Sequence, residues 1–334
     1  VELGAARLLD TGTPYLTRDA IAAAPEPLLG YLPYQPGMVI FGLPRALAGD
    51  AWWTDARIYF AIATAAALIA ALRLLNGRPD RDDQGAVGAT RRQNPQPSLD
   101  HADGAGWADG GRGGLLLRAA QVVTVLPVCA LTLATGGDDL PVLALCLLAL
   151  AFAGRGRWTA SGVAAGAAAA LKLFAWPVAA VLLFHALTSG RRPAVRFIVP
   201  AAGLPIAALL PFLLVGPSGV AENLVRFPLG MGLVESPAAS PLPGHLIATL
   251  VPGGRAMAAG LLIAAAIAIA VWLVRRPPTT AGAAAAVCAT GLLIAIMLMP
   301  ATRFGYLLYP AAYAVWAIAL TPARWPVTAP SHEG

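Results

Sequence analysis

The sequence predicts an all-α protein, a polytopic membrane bundle of about nine crossings with one further segment that enters the bilayer without spanning it. Three observations lead there. Hydrophobic residues make up 58% of the 334 and charged residues only 12%, well below the roughly 25% charged content of soluble domains. The apolar residues gather in runs of helical length. Arginines cluster in the gaps between alternate runs, the pattern of a chain whose basic loops stay on one side of a membrane. The net charge of +6 and the pI of 9.6 therefore report topology. The basic residues form no basic face on a soluble domain, which argues against a nucleic-acid partner and leaves membrane lipids as the chain's surroundings.

Residues 1–51 read as an outer segment. Within it, residues 35–48 are too short to cross and are interrupted by Pro44 and Arg45, so they are expected to be re-entrant or interfacial. Trp52 and Trp53 then lie at headgroup level, where indole rings are favoured. The first run long enough to cross is 53–75, giving a membrane helix over 52–75. Residues 76–114 are rich in Gly, Pro, Asp and Arg and almost free of aliphatic residues before Leu115. Such a composition cannot build a core, and a disordered cytoplasmic loop is expected. Residues 115–321 form the transmembrane bundle, with crossings over 115–134, 140–153, 197–215, 256–274, 281–299 and 304–320, and a second outer loop at 216–255. Residues 322–334 are a cytoplasmic tail.

Residues 160–187 are predicted to be a hairpin. They are apolar but flanked by Arg155 and Arg157 before and Arg191 and Arg192 after, and one crossing cannot put both basic ends on the same side. Each arm would be roughly 21 Å long, short of a hydrocarbon core of about 30 Å. The tip, with Lys172 and Trp176-Pro177, should therefore lie below the outer surface. A lysine at such depth costs at least ~2.5 kcal/mol on insertion scales unless it meets water, an anion or a partner. Lys172 is accordingly a candidate anion ligand in an outward-facing cavity.

Several features carry no chemistry at this level. Cys129, Cys146 and Cys288 fall in apolar runs and read as small core residues. Gly162 and Gly166 form a G-x-x-x-G pair, whose usual meaning is close helix packing. Asp138-Asp139 reads as an outer turn between two short spans. No metal-ligating Cys/His constellation, nucleophile triad or phosphate-binding glycine loop is present. The chain opens at Val1 in mid-pattern with no cleavable signal sequence, and a further N-terminal membrane helix is expected ahead of it.

The opening GAARLLDTGTPYL (4–16), followed by YLPYQPGMVIFGLP (31–44), resembles the first outer loop of the family 87 glycosyltransferases. GVAAGAAAALKLFAWP (162–177) is similar to that family's glycine-alanine helix ending in Lys and Pro, and MPATRFGYLLYP (299–310) resembles its late Pro-x-x-Arg-x-x-Tyr element. The order matches along nearly the whole chain. The resemblance implies a C-type glycosyltransferase fold lacking its first helix. It also implies transfer of a sugar from a polyprenyl phosphate carrier to a lipid or glycan acceptor at the outer face of the plasma membrane. Actinobacterial members include mannosyltransferases, so a hexose, with mannose favoured, is the expected cargo; no cofactor is implied.

That chemistry needs a carboxylate to take the proton of the acceptor hydroxyl and cations to stabilise the leaving phosphate. The family's catalytic aspartate would fall ahead of Val1. The acids present on the matching loop are Glu2, the nearest, then Asp10 and Asp19. Lys172 and Arg303, at the outer ends of apolar runs, are the expected phosphate ligands and should share one cavity, with Arg226 as a third. Tyr15, Tyr31, Tyr34, Tyr306 and His245 are the candidate substrate-binding residues. A lipid or sugar transporter, or a non-catalytic scaffold, would also keep intramembrane charges and broken helices. The absence of an evident internal repeat argues against the transporter.

Overall fold

The computed structural model describes residues 1–76 and 137–321; the expected loop at 77–114, the crossing at 115–134 with Cys129, and the tail at 322–334 lie outside the described residues. Everything described is helix or loop, apart from one isolated parallel bridge between Ala239 and Thr302.

The N-terminal segment contains α1 (Glu2–Thr11), α2 (Arg18–Ala22) and α3 (Pro27–Gly30), then a 3-10 turn (Pro36–Gly42) that runs into α4 (Leu43–Ala48) and a second 3-10 turn (Trp52–Thr54). The bundle follows as α5 (Ala56–Asn76), α6 (Asp139–Gly154), α7 (Trp158–Leu171), α8 (Ala175–Thr188) and α9 (Arg191–Val215). The segment that follows α9 holds α10 (Pro217–Ala221), one π turn (Glu222–Arg226) and α11 (Pro243–Leu250). The chain re-enters the bundle through α12 (Gly254–Arg275), α13 (Ala281–Leu298), a 3-10 turn (Phe304–Leu307) and α14 (Leu308–Leu320).

Four of these helices, α5, α9, α12 and α13, are each long and apolar enough to cross a membrane alone. Those four are apolar and mostly unburied within the chain, as expected of helices whose outer surface meets lipid. The protein is an integral membrane protein. Helices α6, α7, α8 and α14 are shorter, and α6 is the most enclosed, packed by α5, α7, α8, α13 and α14. The core around it is made largely of Ala and Leu with Tyr309, Tyr313 and Trp316, and Cys146 and Cys288 are buried within it as free thiols.

Small residues set the closest contact. A Cβ on Gly162 would sit 2.2 Å from the carbonyl oxygen of Phe197, and one on Gly166 would sit 2.3 Å from that of Pro200. The G-x-x-x-G pair thus lets α7 lie directly on the backbone of α9. The hairpin is present as two arms of 14 residues each. Its break, however, is at Lys172, whose backbone is extended (φ −153, ψ 146). Trp176-Pro177 does not form the tip but lies in the first turn of α8, where proline's missing N–H costs no helical hydrogen bond.

Candidate active site

Chain direction decides which residues meet. The N-terminal ends of α6 and α8, the C-terminal ends of α7 and α13, and the turn before α14 come together at one end of the bundle, where residues from all of them line a single cavity. Arg155 beyond α6 reaches the Leu75 carbonyl at the end of α5, and His185 near the end of α8 meets the Pro278 carbonyl just before α13, both at the opposite end.

The cavity encloses about 330 Å³ and is lined by Tyr31, Tyr34, Asp138, Asp139, Lys172, Phe174, Arg303 and Tyr306 among others. Lys172 is 6% exposed. Its ammonium lies 2.5 Å from Asp139 Oδ1 and 3.2 Å from Asp138 Oδ2. The Tyr309 hydroxyl donates to the same Asp139 oxygen at 2.8 Å. The rings of Tyr34, Tyr306 and Phe174 surround the ammonium at 5.2, 5.4 and 5.9 Å from their centroids, within cation–π range. The extended backbone at Lys172 turns its side chain out of the helical register into this cage. Tyr34 is delivered by a second local constraint: the Gln35 amide donates to the Leu171 carbonyl at 3.1 Å, and Gly37 allows the 3-10 turn to press on α7, since a Cβ there would be 2.6 Å from the Ala170 oxygen. Burial first, then the facing Asp138 carboxylate, push the Tyr34 hydroxyl above its ordinary range. It therefore stays protonated, a donor, at neutral pH.

The two aspartates differ. Asp139 is the first residue of α6, its side chain only 8% exposed and committed to Lys172 and Tyr309. The Asp138 side chain is 27% exposed and opens to the cavity. Arg303 is exposed on the cavity rim and makes no ion pair among the described residues. The reading of Asp138-Asp139 as a plain turn is therefore corrected: both carboxylates are counter-charges of Lys172. Two adjacent acids in a short turn look unremarkable in sequence. What marks them is Lys172, 33 residues from Asp139.

Other candidates sit elsewhere. Glu2 accepts from Arg45 Nη1 at 3.0 Å and from the Ala56 amide at 3.0 Å, so it ties α1 and α4 to the start of α5 rather than facing the cavity. Asp10 and Asp19 are exposed and line no part of it. The Tyr15 hydroxyl donates to the Tyr34 carbonyl at 2.8 Å from within a small apolar cluster, supporting Tyr34 rather than meeting a ligand. Tyr31 reaches the cavity wall, but its hydroxyl is held by Glu222 at 2.9 Å and by the Leu233 amide at 2.7 Å. Arg226 is exposed and pairs with Glu222, outside the cavity. His245 belongs to a neighbouring cavity, with Nδ1 2.9 Å from the Pro300 carbonyl.

A family model described as Glycosyltransferase family 87 matches residues 31–300. The chain belongs to glycosyltransferase family 87. Among solved structures it is similar to the crystal structure of ArnT from Cupriavidus metallidurans bound to undecaprenyl phosphate, with a TM-score of 0.53 and 15% identity over 95% of this chain and 54% of that one. At that identity the likeness shows a common fold, and the chain spans about half the length of the structure it matches. No curated protein matches. The cavity just described lies within the family-matched region except for Leu28, just ahead of it, and Ala301, Arg303 and Tyr306, which follow it.

Proposed function

We propose that this family 87 member moves a hexosyl group, mannose favoured, from a polyprenyl phosphate carrier to a hydroxyl of a lipid or glycan acceptor at the outer face of the plasma membrane. The basic ends of the bundle and its C-terminus would then be cytoplasmic. The observation that carries the reading is the meeting, in one cavity at a bundle end, of an arginine with no ion pair among the described residues, a caged lysine and a carboxylate open to the cavity.

Each group has a chemical task. Arg303 and Lys172 would hold the phosphodiester of the donor and stabilise the charge that grows on it as its bond to the anomeric carbon breaks. Asp138 would take the proton of the acceptor hydroxyl as that oxygen bonds to the anomeric carbon, which leaves polyprenyl phosphate and protonated Asp138. Asp139 and Tyr309 would hold Lys172 in place. Tyr34 and Tyr306 present aromatic faces to the sugar. In this reading the base is Asp138, in place of Glu2, Asp10 or Asp19, because it is the more open of the two carboxylates on the cavity.

The test is transfer from polyprenyl phosphate mannose in membranes containing the protein. Asp138→Asn and Arg303→Ala should each lower kcat by about 10²- to 10³-fold with unchanged protein levels, while Asp10→Asn and Asp19→Asn should not. Full activity in both the Asp138 and Arg303 variants would overturn the assignment.

A further inference from the structure

A second cavity adjoins the first. It encloses about 360 Å³ between the loop after the π turn, α11 and the start of α12, and its wall includes Gly232, Glu235, His245, Ala248, Thr249 and Arg255. The two cavities share Ser236, Ala238 and Ala301 in their walls. Between them runs a fixed partition: Thr302 donates its amide to the Ala238 carbonyl at 2.9 Å and accepts from the Ser240 amide at 2.9 Å, while Ser240 Oγ accepts from the Phe304 amide at 3.0 Å. A molecule seated in the second cavity can approach the first over the Ser236–Ala238–Ala301 lip that the two share.

The two cavities differ in charge. The first has an arginine without an ion-pair partner; the second has Arg255 paired to Glu235 at 3.0 Å, with its other terminal nitrogen on the Gly230 carbonyl at 3.0 Å. That pairing cancels the local charge, so the second cavity offers an anion no net attraction. It does offer donors and acceptors in balance. The guanidinium has five N–H donors and the carboxylate about four lone-pair sites, most of them uncommitted. The Thr249 hydroxyl adds another polar group, donating to the His245 carbonyl at 2.9 Å. A carbonyl can only accept, so the hydrogen between His245 and Pro300 sits on Nδ1, which leaves Nε2 as the ring's remaining polar atom. Hydroxyls, which both donate and accept, match such a surface, and Ala238, Ala239 and Leu233 supply apolar contact for the C–H face of a sugar ring.

We infer that the second cavity binds a neutral saccharide unit of the acceptor and presents its hydroxyl over the lip to Asp138. This rests on the transferase reading only for its last step; the saccharide site itself stands on the cavity. Methyl α-mannopyranoside is the probe, and saturation transfer from the protein in lipid nanodiscs to the sugar reports binding. The wild type should bind it, Ala248→Trp should abolish the signal by filling the cavity, and Glu235→Gln, at an exposed position with no burden on folding, should weaken affinity about tenfold. Inorganic phosphate should not displace the sugar. Undiminished binding in both variants, no binding in the wild type, or displacement by phosphate would overturn the inference. With polyprenyl phosphate mannose as donor and the same hexoside as acceptor, Glu235→Gln should raise the acceptor KM about tenfold and leave the donor KM in place; a rise in donor KM instead counts against it. Intact hexoside binding with no transfer by the wild type would sink the donor reading of the first cavity and leave the saccharide site standing.

Discussion

Glu222 and Lys172 are both buried at the same end of this bundle, with different consequences. Glu222, 1% exposed, takes Arg18 Nη1 at 3.2 and 3.3 Å on its two oxygens, the Tyr31 hydroxyl at 2.9 Å and Arg226 at 3.4 Å. Beside it, Asn223 accepts from the Leu32 amide and donates to the Leu16 and Gly219 carbonyls. The arginines keep part of their surface in the open while the carboxylate is fully enclosed, and the result is a clasp between the N-terminal segment and the segment that follows α9. The single π turn that carries Glu222 and Asn223 aims both at the first segment, a usual role for such irregular turns. Lys172, by contrast, is caged by two carboxylates and three rings but keeps one side on a cavity. A saturated buried charge holds a structure together; one left open to a cavity with an unpaired cation nearby can also do chemistry.

The largest effect should come from Lys172→Ala, which strands two acids. It should cost about 10²- to 10³-fold in transfer rate and also destabilise the protein by about 3–5 kcal/mol, as expected when one member of a buried pair is removed. Pairing it with Asp139→Asn should recover most of the melting temperature in detergent and none of the activity; recovery of both would make Lys172 purely structural. Next, Glu222→Ala should destabilise by about 1–3 kcal/mol, because the buried Tyr31 hydroxyl loses its carboxylate acceptor and the first segment loses its tie through Arg18. Donor affinity per folded molecule should hold, and a selective loss of activity at full stability would erase the contrast between the two clusters.

The smallest effect belongs to a charge pair at the surface. Asp55, just ahead of α5, accepts from the Arg57 backbone amide at 2.9 Å and pairs with the Arg57 side chain. Arg57 holds the Asp55 carboxyl down at about 2 against an ordinary 3.8. A depressed folded pKa means that its contribution is complete above roughly pH 4 and disappears as pH falls through 2. Asp55→Asn should therefore flatten the acid limb of the melting curve slightly, and about 1 M salt should remove most of the difference. A shift as large as that of Glu222→Ala would show that exposure is not what separates these charges.

The helices were legible in the sequence because apolar length is a local property. The expected runs at 53–75 and 140–153 meet α5 (Ala56–Asn76) and α6 (Asp139–Gly154) within a few residues, and the order of motifs pointed to the family that matches residues 31–300. Lys172 stood out for the same reason, one cation in an apolar run. Partnership did not stand out. Whether Arg226 faces a ligand or Glu222, whether Glu2 is a base or a tie between α1 and α5, and whether Asp138-Asp139 is a turn or the counter-charge of Lys172 each depend on pairs distant in sequence. A charge records its desolvation cost in its local sequence, but the group that offsets that cost is fixed only when helices pack and bring their ends together. The sequence by itself thus determined a membrane bundle and singled out its one lysine. The tertiary structure decided which carboxylate opens to the cavity and that Arg303 joins it on the rim, because Coulomb attraction acts over a few ångströms of space regardless of how many residues lie between.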